Sequence, residues 1–310
     1  MISQIENEIG STVAQTVKTG QYPHYYLKQL NLLTIIRHLS LLFMETQKHR
    51  GTSMAVLEGD LEFEPQVMHE QAVIQRLIYV IAYINRQSGE SVFVEKWQGI
   101  EKDWESLVQN WRNDTVIANF EFHNHIIDSM VKLIWDLAGE AGYFSSLLRS
   151  KAIPGSDAVK ADLLYSEKNQ VLLIQIALKL MPEMLENIAK LRGLATRASV
   201  RGYCDSEAHS RFSCLLQSLN LNKERLRVTS RLLQHEALRA VPSLPSILLH
   251  EHRLDKLQTL IQNKVMVNGE ISLKGLEIFG YATNIIDVYS QIIRDAVSTF
   301  QQRIEYALLK

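Results

Sequence analysis

The sequence predicts an all-α fold, and three observations carry that reading. Apolar residues recur at helical spacing almost throughout, only 14 glycines and 6 prolines interrupt 310 residues, and no stretch alternates apolar and polar residues as a half-buried strand would. The finer pattern predicts two four-helix bundles related by an internal repeat, with a short extra helix at the N-terminus. The expected boundaries are 1–22, 23–150 and 151–310.

Each element follows from its punctuation. Ile2, Ile5, Ile9, Val13 and Val17 share one side of an amphipathic helix that Gly20 and Pro23 end, docked on the body or on a partner. From Tyr25 to about Glu58 only Gly51 interrupts the pattern, which gives a helix about 50 Å long at about 1.5 Å per residue. Gly59-Asp60 closes it. Pro65 opens a second helix through Arg86, whose Leu77–Ile84 segment is apolar nearly all round and is expected to be buried. Trp97, Trp104 and Trp111 then fall on one helical face, which reads as core packing rather than a ligand-stacking platform. Asp114 or Thr115 caps a fourth helix that stops at Gly142.

Residues 142–162, with Pro154-Gly155-Ser156-Asp157, are the most loop-like stretch and the expected junction of the halves. Asp162 to about Gly202 forms the second long helix, kinked or interrupted at Pro182. Helices over Glu207–Leu238, Ile247–Val265 and Gly275–Leu309 follow, broken by Pro242, Pro245 and the turn-like Asn268-Gly269.

Composition narrows the function. With 46% apolar and 22% charged residues the chain can bury a large core, and a formal charge of −1 removes the basis for generic binding to nucleic acid or acidic membrane. Two cysteines, no signal-type N-terminus and no long apolar run point to a cytoplasmic protein that spans no membrane. Enzyme signatures are missing: no Glu-x-x-His or His-Glu-x-x-His pair, no phosphate loop, no nucleophile elbow. The expectation is a protein without catalytic activity, metal or cofactor.

What stands out is a pair of arginines. On a wheel advancing about 100° per residue, Met181, Leu185, Ile188, Thr196 and Ser199 lie within about 40° of Arg192, so its guanidinium faces the core. Leu32, Ile36, Leu39, Phe43, Thr46, Met54 and Leu57 surround Arg50 in the same way. Each arginine stands in Lys-x-Arg-Gly, as Lys48, Arg50, Gly51 and as Lys190, Arg192, Gly193. A second match follows in the same order: Phe122-His-Asn-His-Ile-Ile-Asp128 resembles Tyr281-Ala-Thr-Asn-Ile-Ile-Asp287. Two ordered matches at similar offsets indicate two diverged copies of one helical unit. Guanidinium keeps its proton, so a core-facing arginine needs a carboxylate or a bound anion. Glu45, Glu58 and Glu186 all fall off the stripes, so no local acid is expected to face either arginine, and the glycine after each lets another helix come close.

Four motifs together resemble the bacterial nitrate- and nitrite-sensing family, the NIT domain, across roughly residues 25–308. They are Gln47-Lys-His-Arg-Gly51, Phe122-x-x-His-Ile-Ile-Asp128, Met181-Pro-Glu through Leu191-Arg-Gly193, and Phe279-x-x-Ala-Thr-x-x-Ile-Asp287. The resemblance implies an all-helical sensor of two four-helix bundles in which Arg50 and Arg192 bind nitrate or nitrite. Such planar, weakly hydrated anions pair edge-on with a flat guanidinium better than with an ammonium. Thr46, Ser53, Thr196, His123, Asn124 and Thr283 are candidates to line the site. Arg197 and Arg201 point away from Arg192 and are runners-up, read as solvated. Family members usually drive a fused output module; here the sensor is expected to stand alone and act on an unidentified output protein or as a homodimer. The alternative is a helical scaffold or protein-interaction module whose arginines are paired with carboxylates.

Overall fold

The computed structural model describes residues 24–88, 91–142 and 167–308, and every regular element in it is helical. The expected N-terminal helix, most of the linker and the start of the second long helix lie outside the described residues. The helices are α1 (His24–Leu57), α2 (Glu64–Ser88), α3 (Ser91–Asn110), α4 (Val116–Gly142), α5 (Glu167–Gln175), α6 (Met181–Arg201), α7 (Ser206–Arg231), α8 (His235–Ala240), α9 (Ile247–Leu260) and α10 (Gly275–Leu308). No strand occurs among the described residues.

Local chemistry sets the ends. Gly59 takes φ 103°, and the bonds Gly59 N to Val56 O (2.9 Å) and Asp60 N to Ala55 O (3.0 Å) close α1 in a Schellman turn. Gly202 ends α6 in the left-handed conformation at φ 79°, its N–H donating to Ala198 O at 3.0 Å. Of the two candidate caps of α4, Thr115 serves: its hydroxyl accepts from Ala118 N at 3.2 Å.

Two expectations need correction. The stretch Glu207–Leu238 is not one helix: α7 ends at Arg231, and α8 begins at His235. The apolar Leu77–Ile84 segment is not buried all round, since Tyr79 is 43% exposed while Ile78, Val80, Ile81 and Ile84 are buried. A helix on the outside of the body always keeps one face in water. Pro182 interrupts its helix as expected. A π-helical turn over Ile176–Leu180 precedes it, and the proline then sits in the first turn of α6, where its missing N–H costs nothing.

One continuous apolar core runs from Leu32 to Ile304. The two long arginine helices sit at its centre: α1 packs on α2 and α4 and also on α6 and α10, and α6 packs on α7 and α10. The tryptophan stripe is core, with Trp97, Trp104 and Trp111 all at most 2% exposed.

Helices α1 and α6 meet at their motif glycines. A Cβ built on Gly193 would lie 3.8 Å from Gly51 Cα and 3.3 Å from Met54 Sδ, and one on Gly51 would lie 2.8 Å from the Phe279 ring. Phe279 is buried and packs edge-on against Phe63 at 5.6 Å, so its ring has little room to yield, whereas the Met54 thioether can swing aside. We therefore predict different costs at the two positions. Gly51→Ala should destabilise by about 1–3 kcal/mol. Gly193→Ala should stay within about 1 kcal/mol of wild type, because helix propensity offsets the crowding. Urea unfolding of the two variants checks the ordering.

Candidate functional site

Both motif arginines are fully buried, at 0% exposure, on either side of this crossing. Arg50 on α1 reaches across to α6 and binds Glu186 edge-on, Nη1 to Oε1 at 2.6 Å and Nη2 to Oε2 at 3.1 Å. The same Nη1 donates to Asn124 Oδ1 on α4 at 2.6 Å, and the Phe120 ring lies 5.3 Å from the guanidinium carbon. Glu186 also accepts from Gln47 Nε2 at 2.7 Å and pairs with Lys190 at 3.3 Å. Burial pushes the Glu186 carboxyl up, but the Arg50 charge and hydrogen bonds, backed by Lys190 and Gln47, hold it below the usual carboxylate range.

Arg192 on α6 is held differently. Its Nη1 donates to Thr283 Oγ1 on α10 at 2.9 Å, its Nη2 to the Gln47 carbonyl on α1 at 2.7 Å, and its guanidinium carbon sits 4.5 Å from the Phe279 ring centre. No carboxylate lies within ion-pair distance among the described residues, and Nε has no partner. Burial pulls this guanidinium down to about 10, so it remains charged at neutral pH. Gln47 links the two arginines, giving its carbonyl to Arg192 and its amide to the carboxylate that holds Arg50.

Next to the pair lie three buried titratable groups. Glu70 on α2 accepts from Thr52 Oγ1 at 2.6 Å, its other oxygen has no partner, and burial pushes its carboxyl up to about 7 against the hydrogen bond from Thr52 and the charge of Arg192. His49 and His123 form a chain. His123 Nδ1 lies 2.7 Å from the Asn119 carbonyl and must donate to it, so its Nε2 accepts from His49 Nδ1 at 2.8 Å. His49 Nε2 is then left to accept from the Gln71 amide at 3.0 Å. Both rings are neutral in this arrangement. Burial lowers His49 to about 3 and His123 well below its ordinary value. Trp104 and Trp111 wall His49 edge-on at 5.1 and 5.9 Å.

The structure brings together Arg50 with Asn124 and Arg192 with Thr283, pairing each arginine with the polar residue expected on the later helix. Thr196 is fully buried, one helical turn from Arg192, with its hydroxyl unpartnered. Thr46 and Ser53 are buried, but Thr46 donates to Leu42 O on its own helix at 2.9 Å, and Ser53 bonds Asn119 Oδ1 at 2.9 Å. His123 contacts His49 rather than either arginine. Arg197 and Arg201 do lie away from Arg192, but they are not simply solvated. Arg197 pairs with Glu58 at 2.5 Å and Arg201 with Asp205 at 2.9 Å, because α1 and the start of α7 bring carboxylates to that face.

One expectation is overturned at Arg50. Glu186 does face an arginine, though not the one on its own helix. The wheel reading assumed a single inward stripe, whereas α6 lies between α1, α7 and α10 and buries more than one face, so Glu186 turns toward α1. Ala189, Leu191, Leu194 and Ala195, apolar beyond the stripe and all buried, were the sequence signal for this. Gln47, His49, Glu70 and Gln71 were also missed as site residues. Gln47 and His49, within three places of Arg50, and Glu70 and Gln71, on the next helix, give no sign of their partners until the neighbouring helices are placed.

No protein-family model matches the chain, and no curated protein or solved structure is significantly similar to it. The described residues hold no group of three or more histidine, cysteine or acidic side chains able to bind a metal, and no helix among them is long and apolar enough to cross a membrane.

Two predictions follow from the pairing and its titration. Glu186→Gln removes one partner of a buried ion pair and should destabilise by about 3 kcal/mol, while the double change Arg50→Met with Glu186→Met should recover most of that loss. Denaturant unfolding of the single and double variants tests this. The Glu70 carboxyl titrates above its ordinary 4.5, so its stabilising contribution is complete below pH 4.5 and lost as the pH passes about 7. Glu70→Gln keeps an acceptor for Thr52 and cannot ionise; it should leave stability near pH 5 almost unchanged and raise it near pH 8 by up to ~3 kcal/mol. The depressed histidines act in the opposite sense, contributing above pH 6.5 and losing that contribution as the pH falls, for His49 toward about 3. Melting curves across that range separate the carboxyl from the imidazoles.

Proposed function

We propose that this chain is a non-enzymatic sensor of a small planar oxyanion, nitrate or nitrite, with Arg192 as the principal ligand and Arg50 as its partner across the helix crossing. The observation that carries the reading is Arg192 itself: a fully buried cation with no carboxylate in contact among the described residues, whereas Arg50 has one. A charge so placed is costly unless an anion compensates it. The resemblance to the nitrate- and nitrite-sensing family supports the choice of anion, and with it the reading of the chain as two repeated four-helix bundles.

On the repeat reading, only one of the two arginines is left without a carboxylate. Glu186 stands six residues before Arg192, and it serves Arg50 in the other half; six residues before Arg50 stands Met44. The exchange that satisfies Arg50 therefore has no counterpart at Arg192. A planar anion would supply there the paired oxygens that the Glu186 carboxylate supplies to Arg50, with the Thr196 and Thr283 hydroxyls at hand. Because Gln47 joins the two networks, charge compensation at Arg192 would be felt at the α1–α6 contact, and a shift of one helix against the other is the signal. The receiver would be an output protein or a second copy of the chain. A scaffold reading, with arginines that are purely structural, is favoured at Arg50 by its closed bidentate pair.

A thermal-shift titration at constant ionic strength separates the readings. Nitrate or nitrite at 100 times its dissociation constant should add about 2.7 kcal/mol, seen as several degrees, with chloride giving no comparable shift. Arg192→Lys should abolish the selective shift despite keeping the charge, and Thr283→Val should weaken it. Equal responses to all anions would leave the scaffold.

A further inference from the structure

Away from the arginine crossing, the second half of the chain contains a cavity of about 340 Å³ bounded by α6, α7, α8, α9, α10 and the segment before α9. Its walls are mainly apolar: Met184, Leu226, Leu238, Leu244 and Pro245 line it. The size sits at the small end of ligand pockets, which span roughly 300–1,000 Å³.

Two polar features mark it as more than a packing defect. Tyr289 and Ser230 both line it, their hydroxyls are buried without a hydrogen-bond partner, and Tyr289 is only 2% exposed. Buried hydroxyls without partners are uncommon in native proteins, and each can donate to a ligand oxygen. The lining also carries three cations, Lys223, Arg227 and Arg231, against one carboxylate, Glu251. Glu251 binds Arg227 at 2.5 Å and lies 3.7 Å from Lys223, Asp255 also pairs with Lys223, and Glu224 binds Arg227 at 2.9 Å. Arg231 is exposed in the last turn of α7 and has no carboxylate partner among the described residues.

An apolar chamber with two idle hydroxyls and one unspent guanidinium calls for a molecule with an apolar body and a single anionic end. We propose that this cavity is a second ligand site, taking a small amphipathic carboxylate of the medium-chain fatty acid kind. The hydrocarbon lies against Met184, Leu226 and Leu244, the carboxylate oxygens accept from Tyr289 and Ser230, and Arg231 matches the charge. Neither nitrate nor nitrite meets these requirements, since neither has an apolar body to displace water from the walls. The site is independent of the reading of Arg192.

Isothermal titration calorimetry of the full chain with octanoate tests it, with 1-octanol, acetate and nitrate as comparison probes. Octanoate should bind saturably at one site, more tightly than octanol, and without competition from acetate or nitrate. Tyr289→Phe removes one oxygen and Arg231→Gln changes an exposed side chain, so both should fold, and each should weaken octanoate about threefold to tenfold. Arg192→Lys should leave octanoate binding intact. Absence of saturable binding, equal affinity for octanol, affinity unchanged in both pocket variants, or displacement by nitrate would each overturn the proposal.

Discussion

A guanidinium cannot give up its charge at neutral pH, and two of them are buried where α1 crosses α6. Most of the polar structure at the centre of this protein follows from that constraint. Arg50 takes a carboxylate from the opposite long helix and an amide from α4, while Arg192 takes a carbonyl from the opposite long helix and a hydroxyl from α10. The crossing is possible because Gly51 and Gly193 carry no side chain at the point of closest approach. The same glycines let the arginines, one residue earlier in each helix, meet groups on the far side.

The asymmetry between the two arginines matters more than their likeness. A fully buried bidentate pair adds little net stability over a hydrophobic one, but losing either partner is expensive, so the Arg50–Glu186 pair fixes how α1 and α6 sit against each other. Arg192 lacks such a partner and relies on a carbonyl, a hydroxyl and an aromatic face, with Glu70 acting only through its field. Added negative charge beside Arg192 would offset the cost of burying it, and the proposed function rests on that.

Legibility from sequence divides along physical lines. The all-α class, the limits of α1 and α4, the break at Pro182 and the burial of both arginines could all be read, because each depends on periodicity or on a breaker within the same segment. The equivalence of Asn124 and Thr283 could be read because the motif occurs twice. Glu186 could not be assigned, since its role depends on α6 burying a second face, and wheel arithmetic on one helix is blind to the helices around it. The break after Arg231 escaped for a related reason: Leu232 and Leu233 continue the apolar pattern of α7, so nothing local marks the end.

The position of α6 ties the two halves of the polar architecture together. From one stiff helix, Met184 reaches the wall of the C-terminal cavity, Glu186 holds Arg50, and Arg192 contacts α1 and α10. Met184 and Arg192 are eight residues apart, about 12 Å along the axis, which is too short for a helix to bend without breaking its own hydrogen bonds. The compliant point lies on the other side, at the π turn over Ile176–Leu180 and Pro182, where the hydrogen-bond ladder is already interrupted. The buried ion pair at Glu186 and the π turn therefore lie within two turns of each other at the N-terminal end of α6, with the Gly51–Gly193 contact further along the same helix. Arg192, buried without a carboxylate in contact among the described residues, stands at that contact.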